Sequence, residues 1–316
     1  MNTSKVCILG GSGFVGRHLA EALAERGIQA RVLTRAREQA RYLIVLPNVD
    51  VVEADIHSET ELAEQFAGMD AVINLVGVLH DGRGSQSFAS AHVELPHKVV
   101  NACVKAGVKR LLHMSALKAD SGGPSKYLRS KGDGEAVVRD AVSDLAITIF
   151  RPSVIFGPDD SFLNRLATLI RFFPVLPLAA AGARFQPVYV EDVARVFVDC
   201  LDNTDTYGRS YEVCGPRVYS LRELVQFTAA LMHKNRTIIS LSPALSRLQA
   251  ASLEFFPGRP MTRDNLRSMQ VDNVCDCDFA TQFGFKPASV AAIAPTYLGG
   301  SNPRGRYQRF RRNAGR

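Results

Sequence analysis

Residues 5–16, KVCILGGSGFVG, decide how this chain is read: a short apolar run breaks into Gly10, Gly13 and Gly16, and RHLAEALAERG follows directly. The pattern predicts a strand, a glycine turn and a helix. A turn of this kind leaves backbone N–H groups free at a helix N-terminus, where the helix dipole also favours negative charge, so a pyrophosphate can rest there. Gly10 is expected to permit the tight turn, Gly13 the close approach of the phosphates, and Gly16 the packing of helix on strand. RVLTR then supplies a second strand at the distance a βαβ unit needs.

Outward from that motif, short apolar runs bounded by polar or turn residues predict strands at 6–9, 30–33, 49–53, 71–75, 110–114 and 146–150. Between them, 58–67 and 95–106 carry apolar residues at helical spacing, as do 221–231 and 244–256 further on. The expected fold class is α/β: a Rossmann, doubly wound parallel sheet with helices on both faces and a smaller C-terminal substrate lobe. Prolines at 152, 158, 174, 177 and 187 break the later pattern. The chain therefore divides into a nucleotide-binding core over 1–157, a mixed region over 158–303 and a basic tail over 304–316. The mixed region is expected to hold the substrate lobe, with core elements returning near 184–200 and 208–232.

Composition fits a globular protein: 316 residues, 46% hydrophobic and 22% charged, with no apolar run near membrane-spanning length. The first strand begins too early for a signal peptide, so a cytoplasmic location is expected. Six cysteines (Cys7, Cys103, Cys200, Cys214, Cys275 and Cys277) lie mostly in apolar segments and read as reduced core thiols. Cys275 and Cys277 alone make a poor zinc site, and no metal is expected. The net charge of +7 is misleading, because six arginines sit in the last thirteen residues, RGRYQRFRRNAGR, and leave the body close to neutral. That tail is expected to be a solvated arm able to touch an anionic membrane, at most peripherally at the inner membrane, or an acidic protein. Nothing in the body supports nucleic-acid binding.

The end of the second strand reports on the cofactor. An acid there would accept from the ribose hydroxyls of NAD; eighteen residues after Gly16 stands Thr34 instead, followed by Arg35 and then Arg37. A guanidinium can pair with a 2′-phosphate, so NADP(H) is expected in preference to NAD(H). Asp55 could accept from the adenine amino group while Ile56 packs on the ring. Asn74–Leu75–Val76–Gly77 closes the fourth strand, and its small last residue is expected to admit the cofactor.

The chemistry is expected at Tyr127 and Lys131, whose spacing puts both side chains on one helical face. An ammonium beside a phenol lowers its pKa, so the tyrosine could exchange a proton with a carbonyl or hydroxyl near neutral pH.

GGSGFVG, ADI, NLVG, YLRSK, RPSVIFGP and VYVEDVA together resemble the short-chain dehydrogenase/reductase superfamily, in its extended or atypical branch with the NAD-dependent epimerases and dehydratases. Within it, HMSALKAD, GPSKYLRSKGDGE, PDDSFLNRLA and FPGRPMTRDNL are similar to the group around the nucleotide-binding accessory subunit of respiratory complex I, its bacterial relatives and proteins linked to ubiquinone biosynthesis. The resemblance implies bound NADP(H). It also implies cofactor contacts from Ser12, Phe14, Val15, Leu75, Val76, Met114, Pro152, Ser153 and Val154, with Tyr127 and Lys131 sharing both roles. Two departures stand out. Where extended enzymes carry two hydroxyl residues after the fifth strand, this chain has Ser115 and Ala116, so Ser115 either polarises the substrate or only braces the cofactor. Where an asparagine supports the proton relay, it has His92, which can either replace that hydrogen bond or serve structure.

Three functions follow as expectations. The first is Tyr/Lys-assisted hydride transfer on a hydrophobic carbonyl or quinone-like small molecule, suggested by Phe162, Leu166, Phe172, Phe173, Leu176 and Leu178. The second is a non-catalytic NADPH-binding accessory or assembly protein. The third, a nucleotide-sugar epimerase or dehydratase, is disfavoured by the short loop between Ser115 and Tyr127.

Overall fold

The computed structural model describes residues 3–143, 145–256 and 260–299. They form two compact units, one from the residues up to Pro152 with Val190–Val213, the other from Ser153–Tyr189 with the described residues from Cys214 onward.

In the first unit, β1 (Lys5–Leu9), α1 (Phe14–Glu25), β2 (Gln29–Thr34), β3 (Val49–Glu53), α2 (Glu59–Phe66), β4 (Ala71–Asn74), α3 (Leu95–Ala106), β5 (Arg110–Met114), α4 (Lys126–Asp140) and β6 (Ala146–Pro152) alternate along the chain. After the second unit's insertion come α6 (Val190–Asp199) and β11 (Arg209–Val213). The strands form one seven-stranded sheet in the order β3-β2-β1-β4-β5-β6-β11, every neighbouring pair parallel. The chain runs outward from β1 to β3 and returns to β4 on the other side of β1. A crevice therefore opens at the carboxyl ends of β1 and β4, where nucleotides bind in folds of this class.

Burial on both faces explains why the strands read as apolar runs. Leu62 and Phe66 of α2 and Val99 and Cys103 of α3 pack with Cys7, Leu9, Val72 and Leu111 in one cluster. Each such large side chain contributes about 2 kcal/mol by leaving water. Helices α1 and α6 pack on each other, joined at one end by Arg26 to Asp199 at 2.6 Å. The seventh strand, β11, escapes the sequence pattern because RSYEV offers few apolar residues; it pairs at the sheet's edge, on β6 alone.

The second unit holds β7 (Ile155–Phe156) paired with β10 (Val188–Tyr189), β9 (Arg184–Phe185) with β12 (Tyr219–Ser220), and β8 (Val175–Leu178) with β13 (Thr237–Ser240). Its main helices are α5 (Leu163–Phe172), α7 (Leu221–Leu231) and α8 (Pro243–Leu253). Phe156, Leu163, Phe185 and Leu224 centre its core, with Phe162, Leu166 and Leu178 packed against them. Leu176 joins a smaller cluster around Ile170. Those four residues are partly buried against the core, whereas Phe172 and Phe173 are exposed at 70% and 53%.

The expectation of six reduced thiols is corrected here, because Cys214 and Cys275 form a disulfide. Gln186 gathers the two segments: its carbonyl accepts from Gly215 N–H, its side-chain amide donates to the Gly215 carbonyl at 2.7 Å, and its Oε1 accepts from Cys275 N–H at 3.0 Å. A pairing across 61 residues through a distant glutamine leaves no local trace in the sequence. Cys7, Cys103 and Cys200 are free and buried, and burial pushes the Cys7 thiol up to about 12. The basic tail lies outside the described residues.

Candidate functional site

The nucleotide end begins where β1 stops. Gly10 has φ +77°, a left-handed conformation that side-chain-bearing residues resist, and its carbonyl accepts from Gly13 N–H at 3.0 Å. A Cβ on Gly16 would lie 2.4 Å from the Gly10 oxygen, so only glycine lets α1 close onto the turn. Helix α1 starts from Gly13 with no side-chain cap and no acid in its first turn. Its leading N–H groups, buried Val15 among them, are thus left for an anion, which fits a cofactor diphosphate. The sequence reading missed Tyr42, whose hydroxyl donates to the Ser12 carbonyl at 2.6 Å, and Arg17, whose guanidinium lies 5.6 Å from the centre of the Phe14 ring.

At the end of β2, Thr34 is buried and its hydroxyl accepts from Ala36 N–H at 3.3 Å, so it faces the local turn. Arg35 is exposed and shares a surface depression with Glu53, Asp55 and Glu61. Asp55 accepts from His57 N–H at 2.9 Å, while Ile56 packs partly into the main core.

Beyond β4, Asn74 is buried; its Oδ1 accepts from Val76 N–H and its Nδ2 lies 3.4 Å from His113 Nδ1 on the neighbouring strand. Leu75 continues the ladder by donating to the Leu9 carbonyl. A Cβ on Gly77 would come within 3.1 Å of Lys131 Nζ and 3.6 Å of His92 Nε2. Gly77 thus brings the backbone close to the lysine and the imidazole, where any side chain would crowd them.

Helix α4 carries Tyr127, Lys131 and Glu135 one turn apart, started by Ser125, whose hydroxyl accepts from Leu128 N–H. Lys131 donates to the Met114 carbonyl at 3.2 Å, which fastens the helix to the end of β5. Burial brings its ammonium down to about 8, against the pull of Glu135 behind it. The Glu135 carboxylate is itself buried and gripped by Arg151, whose Nε reaches both oxygens at 3.1 and 2.9 Å, and by Arg139. Burial pushes the Tyr127 phenol up to about 12, opposite in direction to the lowering expected from a neighbouring ammonium. Ser115 at the end of β5 is 3% exposed and its hydroxyl has no hydrogen-bond partner, while Ala116 beside it offers none. An orphaned hydroxyl there suits a bound cofactor or substrate.

His92 lies on a π-helical turn, Ser90–Glu94, that runs into α3. Its Nε2 accepts from Val78 N–H at 3.0 Å, so the proton sits on Nδ1, which donates to Ser130 Oγ at 2.9 Å; Ser130 in turn donates to the Tyr127 carbonyl. Phe88 stacks on His92 at 5.3 Å, and Tyr127 meets both rings edge-on. Burial, with Lys131 nearby, holds His92 neutral with its pKa down at about 2, and His113 likewise at about 3. Pro152 closes β6 and accepts from Leu117 N–H. Ser153 and Val154 belong to the second unit, where Ser153 Oγ and Val154 N–H both donate to Asn273 Oδ1 at 2.5 and 3.1 Å.

Comparison with known proteins agrees with the motif reading. The chain is similar to the mitochondrial NADH dehydrogenase [ubiquinone] 1 alpha subcomplex subunit 9 of Arabidopsis thaliana, 31% identical over 255 residues that cover 78% of this chain and 63% of that one. It is also similar to a ceramide reductase of Caulobacter vibrioides, 33% identical over 61% of this chain and 59% of the relative. The chain thus spans about three-fifths of the length of these relatives. Among solved structures, dTDP-glucose 4,6-dehydratase from Streptomyces venezuelae, with NAD bound, shares the fold at TM-score 0.75 and 21% identity over 98% of both chains. An NADPH-dependent quinone oxidoreductase from Escherichia coli, complexed with NADPH, does so at TM-score 0.74 and 18% identity over 93% of this chain and 99% of that one. A family model described as NAD(P)H-binding matches residues 10–204, the span that holds the glycine turn, the Tyr127–Lys131 pair and the orphaned Ser115 hydroxyl, and the chain belongs to that NAD(P)H-binding family.

Proposed function

We propose that the protein is an NADPH-dependent reductase of a hydrophobic carbonyl or quinone-like compound, with Tyr127 as the acid. The observation that carries this reading is the buried Ser115 hydroxyl without a partner, on the same strand end as the Met114 carbonyl that holds Lys131. NADPH, when bound, supplies the hydride. A phenol raised to about 12 stays protonated at neutral pH, so Tyr127 gives its proton to the substrate oxygen as the carbonyl is reduced to an alcohol. Lys131 stabilises the phenolate left behind, and the His92–Ser130 pair holds the backbone under the tyrosine. Ser115 is assigned to the substrate oxygen, completing with one hydroxyl what relatives do with two.

The preference for NADP(H) rests on Arg35, the cation of a depression otherwise lined by three carboxylates. The apolar class of substrate is supported by the ceramide reductase and hydroxysteroid dehydrogenase relatives, while four of the six suggested apolar residues are partly buried against the core and the other two are exposed. The arm at 304–316 is assigned to an anionic surface, which would keep the protein peripheral to a membrane in the cytoplasm. A second reading, an accessory protein that holds NADPH without turnover, is favoured by Ala116 and by the complex I subunit relatives.

Tyr127→Phe separates the two. Under the reductase reading, it lowers NADPH oxidation with quinones and long-chain ketones by about 10² to 10⁴ while nucleotide still binds. Absence of turnover across such a screen, with full complementation in cells by Tyr127→Phe, establishes the accessory reading instead.

A further inference from the structure

Helix α8 in the second unit is inside out. Its buried positions are small, Ser246 and Ala250, whereas Leu245 and Leu248 stand 51% and 64% exposed, and Phe255, continuing the same stripe just past the helix, is 89% exposed. A helix that only covered a core would be patterned the other way.

The same unit exposes a second apolar edge beside it. Phe172, Phe173 and Val175 follow one another from the end of α5 into β8, and Ile239 stands exposed on β13, the strand paired to β8. Hydrogen bonds knit these pieces together: Arg236 Nε donates to the Ile170 carbonyl, Leu241 N–H to the Leu178 carbonyl, and Gln249 of α8 to the Pro177 carbonyl at 2.8 Å. Exposed apolar side chains on elements tied together in this way mark a docking face.

Charge selects the occupant. Segments 161–190 and 224–253, which supply the apolar edge and nearly all of the helix stripe, contain no Asp or Glu; at the chain's average of 31 acids in 316 residues, sixty residues would carry about six. They do contain Arg171, Lys234 and Arg247, all exposed and none in an ion pair among the described residues. Apolar side chains accompanied by these cations, with Glu254 beside Phe255 neutralised by Arg263 at 3.0 Å, match the boundary of an anionic bilayer, where the cations meet headgroups and the apolar groups enter the acyl edge. No helix among the described residues is long and apolar enough to cross a membrane, so the contact lies in the plane of the interface.

We infer that this face of the second unit, formed by α8, the end of α5 and the β8–β13 ribbon, docks on an anionic phospholipid surface. This holds whether or not the protein turns over a substrate, and it is separate from the arginine arm.

The chain has no tryptophan, so Leu248→Trp provides a single reporter in the full-length protein. Vesicles of phosphatidylcholine with phosphatidylglycerol should shift its emission to the blue, and vesicles of phosphatidylcholine alone should do so far less. In cosedimentation, Leu245→Ser/Leu248→Ser and Phe172→Ser/Phe173→Ser should each reduce vesicle binding at least about tenfold, the scale of two lost apolar side chains, with circular dichroism unchanged. An unshifted reporter overturns the inference. So does vesicle binding that survives both double variants, which would leave the arm as the sole contact. Self-association abolished by the same variants, without vesicle binding, overturns it in favour of a second copy of the chain.

Discussion

His92 Nδ1 lies 2.9 Å from Ser130 Oγ, and this hydrogen bond joins a π-helical turn to the helix that carries Tyr127. Because the other imidazole nitrogen is committed to Val78 N–H, the tautomer is fixed, and Ser130 passes the constraint on to the Tyr127 carbonyl. Ser130→Ala should therefore strand a buried N–H and cost about 1 to 3 kcal/mol of stability. Urea unfolding checks this, and a loss below experimental error would show that the imidazole finds another partner.

Gly134 sits where the two elements come closest, since a Cβ there would lie 1.7 Å from the His92 carbonyl oxygen. Backbone meets backbone, so neither side can yield by changing rotamer. Gly134→Ala should destabilise by roughly 3 kcal/mol or more, the upper end of overpacking costs, and displace Tyr127. A protein with unaltered melting temperature would contradict the tight α4 contact.

Acid should weaken the fold through two neutral histidines. His92 and His113 have folded pKa values lowered to about 2 and 3 from the unfolded 6.5, so below pH 6.5 the unfolded chain binds protons that the native state refuses. Stability is fully present above pH 6.5 and falls as pH drops toward the folded values, by about 2 kcal/mol for each histidine at pH 5. Chemical denaturation at pH 7 and pH 5 measures the slope, and His92→Asn should make it shallower.

Lys131 should set an alkaline limit on cofactor binding. Its ammonium, brought down to about 8 by burial, loses its proton as pH rises through that value, and NADPH affinity should fall with it. Fluorescence titration of NADPH from pH 7 to pH 9 should show a single midpoint. Glu135→Gln should move that midpoint lower, because Glu135 favours the charged lysine, and Lys131→Met should abolish it.

Arg35→Ala should cost roughly 1 to 3 kcal/mol of NADP(H) affinity, the scale of a lost hydrogen bond to a charged group, and much less for NAD(H). Parallel titrations decide it. Equal losses for both nucleotides would mean that Glu53, Asp55 and Glu61 govern the depression.

The chain's own pattern determined the sheet and the cradle: apolar runs mark six of the seven parallel strands, and the glycine spacing marks the turn, because both signals are local and repeat along the sequence. Tertiary structure decided whatever depends on which distant segments meet. Gln186 draws Cys214 to Cys275, and Arg110 is buried among the carbonyls of Ala146, Cys200 and Leu201 and the hydroxyls of Thr148 and Thr206. Spacing reports that Tyr127 and Lys131 share a helical face, whereas the upward direction of the Tyr127 pKa follows burial, a property of everything packed around it. Ser115 could be named from the sequence, yet only the fold shows that its hydroxyl is left without a partner, because hydrogen-bond satisfaction depends on every neighbour at once.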